Sequence, residues 1–322
     1  MHRGKSEFVE VFRGMSCPVS STTRFSTQFP LGEKWVRMLL NFHITLTVGT
    51  GTGALAEGEL RVIRGITFRT DRGELICNGV PGRLLYRIDQ IKSKTAGAKD
   101  AIAAASATYD VAIPIWFKDP DMRDPYQFLL DTARYGAVNL EVQIGSVADL
   151  LGVVGTASVV VTVDCAVERM LGKFEANQQV SVFKEYGIRA PVDPTSLQTI
   201  EYERTQGFAL QRIGIFTTTG SSSGVPFSGD ASNAVIADLT FDDGALPFNR
   251  LLEKTIRNDV KARYQMESAT SGFYLHDFCA DNIASSANYT GNKSRSGWRW
   301  TNGTLPATPQ VTGWYEGFRP LF

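Results

Sequence analysis

What this chain has little of narrows its class before any motif is read. Its 322 residues include only four cysteines, Cys17, Cys77, Cys165 and Cys279, far apart and without a CxxC pair. A zinc ribbon or a disulfide scaffold needs closely spaced thiols, so neither is indicated and the four are expected as reduced thiols. Three histidines, His2, His43 and His276, leave little material for His-based metal sites or catalytic triads. Neither sign of charge is in excess, 33 Lys and Arg standing against 33 Asp and Glu. Dedicated nucleic-acid binders are usually basic, so no specific nucleic-acid partner is expected. A long apolar run is missing too. The stretch Gly152 to Val167 is interrupted by Thr156, Ser158, Thr162 and Asp164 and falls short of the ~20 residues of a spanning helix. The first residues hold no apolar signal-peptide core, which points to assembly in a cytoplasm. These shortages favour a scaffold over an enzyme.

What is present is strand signal. A hydrophobic content of 43% is that of a globular chain, and the length exceeds one ordinary core. From Trp35 the sequence alternates. Val36, Met38, Leu40, Phe42, Ile44, Leu46 and Val48 make one apolar face, and Trp35, Arg37, Leu39, Asn41, His43, Thr45 and Thr47 the other. That is the pattern of a half-buried strand. Further strands are expected over Glu59–Thr70, Glu74–Cys77, Arg83–Asp89, Tyr109–Phe117, Ala137–Ile144 and Ala157–Val167, with an alanine-rich loop at Thr95–Ala107. A second series follows: Leu197–Glu203, Phe208–Thr218, Ala234–Phe241, Val260–Glu267 and Phe273–Cys279, with a loop at Gly220–Gly229. Many strands and few helices indicate a sandwich or barrel class.

Two halves of the chain match one another. Asp124-Pro125-Tyr126, Leu129-Leu130 and Val138, Leu140, Val142, Ile144 are each followed, 122 residues on, by Leu246-Pro247-Phe248, Leu251-Leu252 and Val260, Ala262, Tyr264, Met266. Upstream, Val111, Ile113, Ile115 and Phe117 match Val235, Ala237, Leu239 and Phe241 at a spacing of 124. Each copy reads as strand, Pro-started helix, strand, since proline is tolerated in the first turn of a helix and Asp124 can cap it. The two Leu pairs are expected in equivalent buried positions. A weaker echo, Arg64-Gly65-Ile66-Thr67-Phe68 against Arg212-Ile213-Gly214-Ile215-Phe216, has a spacing of 148.

Two tandem all-β sandwiches, each with a short helix before its G strand, resemble the double jelly-roll major capsid proteins. These build tailless icosahedral viruses with an internal membrane, of the corticovirus and finnlakevirus kind. The resemblance covers Trp35 to Cys279. It implies a bacteriophage-like virion protein without catalytic residues, three copies of which form a pseudo-hexagonal homotrimeric capsomer. It further implies neighbouring capsomers, minor capsid or vertex proteins and an inner lipid membrane as partners, with the capsid shell as location. The expected boundaries are an N-terminal arm over 1–30, a first jelly roll over 31–188, a linker over 189–196 and a second jelly roll over 197–287. An aromatic segment over 288–322 is expected to complete or clamp the second jelly roll or a neighbour. The arm is Ser/Thr-rich, carries Arg3, Lys5, Arg13 and Arg24, and is expected outside the core, on the inner face of the shell.

Rival motifs exist. Gly51-x-Gly53-x-x-Ala56, with Asp71 20 residues past Gly51, has the spacing of a dinucleotide-binding fingerprint and suggests an NAD-binding oxidoreductase. Gly58 and the strand-like residues after it read instead as a hairpin loop. His276-Asp277 with Cys279 has the residue types of nucleophilic chemistry, but neighbours on a strand point to opposite faces. Asp119, Asp121 and Asp124, or Asp242 and Asp243, offer carboxylates for a structural calcium ion, without EF-hand spacing. The sequons at Asn288, Asn292 and Asn302 mark a polar segment. Trp298, Trp300 and Trp314, with Tyr289, Tyr315, Phe318 and Phe322, suit a final strand, an intersubunit contact or the platform of a carbohydrate-binding or carbohydrate-cleaving protein.

Overall fold

The computed structural model describes residues 6–25, 29–93, 105–119, 122–171, 182–203, 208–220, 225–242, 251–266, 269–279, 288–289 and 295–320. They form two compact units, the first running to Glu185 apart from Ser93 and the second from Tyr186 to Pro320, so that the boundary falls within the strand Val182–Ile188, which is grouped with the first unit.

In the first unit the strands are β1 Ser6–Ser16, β2 Ser21–Phe25, β3 Lys34–Thr47, β4 Thr52–Ala54, β5 Ile63–Thr70, β6 Leu75–Val80, β7 Ala107–Trp116, β8 Leu130–Asp131, β9 Val138–Ile144, β10 Leu151–Val153, β11 Ser158–Met170 and β12 Val182–Ile188. Helix α1 is Gly58–Arg61 and α2 is Gly82–Ser93. One sheet has the order β1-β11-β3-β7, with β8 against β3; the other has β12-β6-β5-β9-β2. The chain switches sheets again and again: β1 in one, β2 in the other, β3 back, β5 and β6 across, β7 back, β9 across, β11 back. That alternation is the winding of a Greek-key sandwich.

The alternation in β3 is realised as its sequence requires. Met38, Leu40, Phe42, Ile44 and Leu46 are fully buried, as are Ile66, Phe68, Leu140 and Val142 of the other sheet. Each such side chain contributes about 1.5–3 kcal/mol by leaving water. The first turn of β3 departs from the pattern. Glu168 pairs with Arg37 and Arg169 with Trp35, so Val36 is bulged out of the ladder. One extra residue inverts the faces. Trp35, expected on the polar face, therefore joins the core, its ring centroid 6.2 Å from those of both Phe68 and Phe117. Val36 packs instead with Leu129, Tyr126 and Met170.

Several expectations for this unit are corrected. The segment 6–25 is no arm: β1 pairs with β11, β2 pairs with β9, and Phe12, Cys17 and Phe25 are buried. Register shifts between Glu10 and Phe12 and between Phe12 and Met15 break its period, which hides the strand in the sequence. Residues 1–5 and 26–28 lie outside the described residues. Arg83–Asp89, expected as a strand, is the heart of α2, where Leu84, Leu85, Ile88 and Ile91 are buried at helical spacing. Gly82 opens it because a Cβ there would lie 2.8 Å from Ile63. The Pro-started helix is two 3₁₀ turns, Pro125–Phe128 and Thr132–Arg134, the first with Asp124 accepting from the Tyr126 amide at 3.3 Å. The loop expected at Thr95–Ala107 lies outside the described residues up to 104, and Ala107 begins β7.

The second unit contains β13 Thr199–Glu203, β14 Ala209–Thr219, β15 Asp230–Ala231, β16 Ile236–Asp242, β17 Leu251–Leu252, α3 Glu253–Arg263, β18 Phe273–Asp277, β19 Asn288–Tyr289, β20 Arg295–Asn302 and β21 Gln310–Pro320. One sheet is β13-β20-β16-β17; in the other β14 lies between β21 and β18, with β15 and β19 at its two ends. Again the chain crosses between sheets repeatedly: β13 in one, β14 and β15 in the other, β16 and β17 back, β18 and β19 across, β20 back and β21 across. The core includes Ile213, Ile215, Leu239, Phe241, Tyr274, Trp298, Trp300 and Val311.

Here the 122-residue register fails. Val260 and Ala262 belong to α3, not to a strand, whereas Val138 and Leu140 belong to β9. Ile256, Val260 and Tyr264 are buried four residues apart, and Glu253–Arg257 (2.6 Å) and Asp259–Arg263 (3.1 Å) pair along the helix. The Leu pairs are not equivalent either. Leu129 and Leu130 are 1% and 4% exposed, Leu251 and Leu252 45% and 65%. Pro247 and the rest of 243–250 lie outside the described residues. The residues of the 148-residue echo lie on strands in both units, Phe68 on β5 between β6 and β9 and Phe216 on β14 between β18 and β21. The expected linker 189–196 is tied to β21, Arg189 N–H donating to Gly313 O at 2.7 Å and Val192 exchanging bonds with Val311 at 2.9 and 3.0 Å.

Candidate functional site

The glycine motif builds a closed turn. β4 pairs with β10, and Thr50 and Thr156 clasp one another, each backbone N–H donating to the other's hydroxyl at 3.0 Å. A Cβ on Gly51 would meet Leu151 Cδ1 and Val154 O, both at 2.8 Å. Gly51 thus serves close approach of chain to chain, and the space a pyrophosphate would need is filled by the protein. Asp71 is engaged elsewhere, accepting from the Gly136 amide at 2.8 Å. The dinucleotide reading is overturned.

His276, Asp277 and Cys279 do not assemble a nucleophile. Asp277 Oδ2 accepts from Arg212 Nε at 3.0 Å and from the Tyr264 hydroxyl, and its Oδ1 from the Cys279 amide at 2.9 Å. Arg212 also donates to Glu316 Oε2 at 2.8 Å. His276 faces the other way, its ring stacked on Phe241 at 4.6 Å and edge-on to Phe278 at 4.8 Å. Burial lowers its pKa, partly offset by Asp277. None of the four cysteines is in a disulfide and all are buried. Burial pushes the Cys17 thiol up to about 11 and those of Cys77 and Cys165 higher still. Such thiols stay protonated at neutral pH and are poor nucleophiles.

The aspartates suggested for calcium are dispersed. Asp119 is buried with Lys184 Nζ at 2.8 Å and Lys92 Nζ at 3.8 Å, while Asp124 caps a 3₁₀ turn. Asp121 and Asp243 lie outside the described residues, as does the Asp242 side chain. Among the described residues no three His, Cys, Asp or Glu side chains are grouped to hold a metal ion. A second buried network joins α2 to the turn before α1. Arg83 Nε donates to Glu57 Oε2 at 2.5 Å, Arg87 donates to the other Glu57 oxygen, and Arg87 Nη1 donates to Gln90 at 2.7 Å. Burial opposes the Glu57 charge, but Arg83 and Arg87 outweigh it and hold the carboxyl below its ordinary value. No sequence signal separates these ions from solvated ones.

The aromatic C-terminus completes the second unit. β20 lies between β13 and β16 and β21 against β14, which buries Trp298, Trp300, Trp314 and Phe318. Buried indoles offer no exposed sugar platform. Of the sequons, Asn302 is tied to Pro194 O at 3.1 Å; Asn292 and the Asn288 side chain lie outside the described residues.

What remains accessible is surface. A row crosses the outer face of the β1-β11-β3-β7 sheet: Phe8, Glu168, Arg37 and Trp116 sit opposite one another on successive strands. Arg37 pairs with Glu168 at 2.7 Å and lies over the rings of Trp116 and Phe8 at 4.7 and 5.2 Å. Phe8 and Val160 are exposed on this face, and Leu251 and Leu252 on the second unit. A groove of about 440 Å³ beside them is walled by Leu239, Phe241, Ile256, Leu275, His276 and Trp298. Among the described residues no helix is long and apolar enough to cross a membrane.

No family model matches the sequence, and no curated protein matches it. Solved structures do. The chain is similar to the major capsid protein P2 of bacteriophage PM2, with 11% identity, 99% of this chain and 98% of that one covered, and a TM-score of 0.60. The major capsid protein of Sulfolobus Turreted Icosahedral Virus matches at 10% identity over 98% and 97%, with a TM-score of 0.66. A chain of the PBCV-1 virus capsid matches at 10% identity over 100% and 96%, with a TM-score of 0.61. The fold is therefore the double jelly roll.

Proposed function

We propose that this chain is the major capsid protein of an icosahedral virus and has a structural rather than an enzymatic role. One observation carries the reading. The likeness to capsid proteins extends over 99% of this chain and 98% of P2, with both sandwiches in tandem and little left over for another activity. The placement of the chemical candidates supports it from the other side, since the side chains of Asp277, Asp119 and Glu57 and all four thiols are buried within their own units. Such groups specify packing rather than turn over a substrate.

In this reading the chain self-associates as a homotrimer with a pseudo-hexagonal outline, and trimers tile the shell beside minor or vertex proteins. An underlying lipid membrane and assembly in the host cytoplasm follow the same resemblance. The sheet edges at β1 and β7 and the exposed Phe8, Val160, Leu251 and Leu252 supply surface for neighbouring copies to cover. Electron microscopy of the purified full chain tests the proposal. Three-fold particles with a six-cornered outline are expected; a field of single 35.3 kDa molecules at all concentrations would refute it.

A further inference from the structure

On the outer face of the β1-β11-β3-β7 sheet, His43 lies between carboxylates of the two strands that flank its own. Its Nδ1 is 2.6 Å from Asp110 Oδ1 on β7 and its Nε2 3.1 Å from Asp164 Oδ2 on β11. Asp164 reaches on to a further strand, its Oδ1 accepting the Gly14 N–H of β1 at 2.6 Å. Gly14, with φ of 62°, falls inside the second interruption of the β1–β11 ladder, between Phe12 and Met15. There a side-chain carboxylate takes the place of a ladder carbonyl. The result is one continuous chain of polar contacts across four strands.

A neutral imidazole carries one N–H, so only the imidazolium can donate to both carboxylates. We propose that His43 is a protonation-dependent clip that fastens the N-terminal strand to its sheet, closed as imidazolium and open once the ring has lost its proton. On opening, the proton stays at Nδ1, whose contact with Asp110 is the shorter, and Nε2 turns its lone pair toward Asp164, which loses the donor that orients it toward Gly14.

The charges around the ring agree. Asp164 and then Asp110 raise the His43 pKa above its ordinary 6.5 through hydrogen bonds, against a smaller effect of burial. The Gly14 amide, against burial and with His43 next, lowers that of Asp164 from 3.8. From β1 the facing charge is Arg13, which acts on Asp164 and is itself paired with Glu10 at 2.5 Å. Along β3 the flanking residues on this face, Asn41 and Thr45, are uncharged. The His43 contribution is complete below 6.5 and is lost as pH rises through its raised folded value. That of Asp164 is complete above 3.8 and is lost as pH falls through its lowered value. The clip is closed from mildly acid pH up to the His43 midpoint and opens on the alkaline side.

Two measurements on the full chain test this: NMR titration of His43, and hydrogen exchange of the Ser6–Ser16 amides corrected for intrinsic pH dependence. His43 should titrate above 6.5, and Gly14 protection should fall about two- to fivefold through the same midpoint, the scale of a half-exposed ion pair. Asp110→Asn should move both midpoints down together, and His43→Phe should erase the step. A His43 that titrates at or below 6.5 overturns the clip, as does Gly14 protection without a step at the His43 midpoint.

Discussion

Arg212 Nη1 donates to Glu316 Oε2 at 2.8 Å in the interior of the second unit, where neither side chain is more than 2% exposed. The bond joins β14 to β21, and Asp277 on β18 holds the same guanidinium at 3.0 Å. Taking away one partner leaves charge stranded in a low dielectric. Glu316→Leu should therefore cost about 3–5 kcal/mol in chemical denaturation, far more than a surface carboxylate. A loss under about 1 kcal/mol would mean that water reaches the cluster.

The two Leu pairs should now behave differently. Leu129→Ala or Leu130→Ala should each cost about 2–5 kcal/mol, because a buried leucine leaves both a transfer loss and a cavity. Leu251→Ala and Leu252→Ala should stay within about 0.5 kcal/mol in the isolated subunit. Equal losses for all four would restore the equivalence that the fold denies.

Removal of residues 1–25 should lower the melting temperature of the first unit and promote aggregation. It uncovers the edges of β11 and β9 and takes Phe12, Cys17 and Phe25 from the core. An unchanged melting curve would return this segment to the status of an arm.

His276 should give an acid-side pH dependence, opposite to that of His43. Burial depresses its pKa below 6.5, so its contribution is full above 6.5 and is lost as pH falls through the lower folded value. His276→Phe should flatten the stability profile below pH 6.5. A profile as steep as before would assign the acid sensitivity to the carboxylates.

How far the sequence could be read depended on whether one periodicity governed a segment. In β3 it did, and Met38 to Leu46 were legible residue by residue until the Val36 bulge inverted Trp35. In β1 two bulges erased the signal altogether. In α2 the apolar positions Leu84, Leu85, Ile88 and Ile91 follow a helix, and Arg83, Arg87 and Gln90 recur at i, i+4 and i+7, so the helical period was legible there and the strand reading overlooked it. The 122-residue register was a coincidence of a four-residue period in α3 with a two-residue period in β9. The short 148-residue echo joins residues of like setting, since Phe68 and Phe216 both lie on strands paired on two sides. The buried clusters around Glu57, Asp119 and Arg212 had no signature, since pairing of distant charges is decided by tertiary structure alone.

The central claim, a capsid subunit that lives in contact with its own copies, is tested most directly by light scattering of the full chain over a wide concentration range. A mass three times 35.3 kDa, or larger closed particles, is the predicted result. A stable, monodisperse species of 35.3 kDa throughout would contradict it.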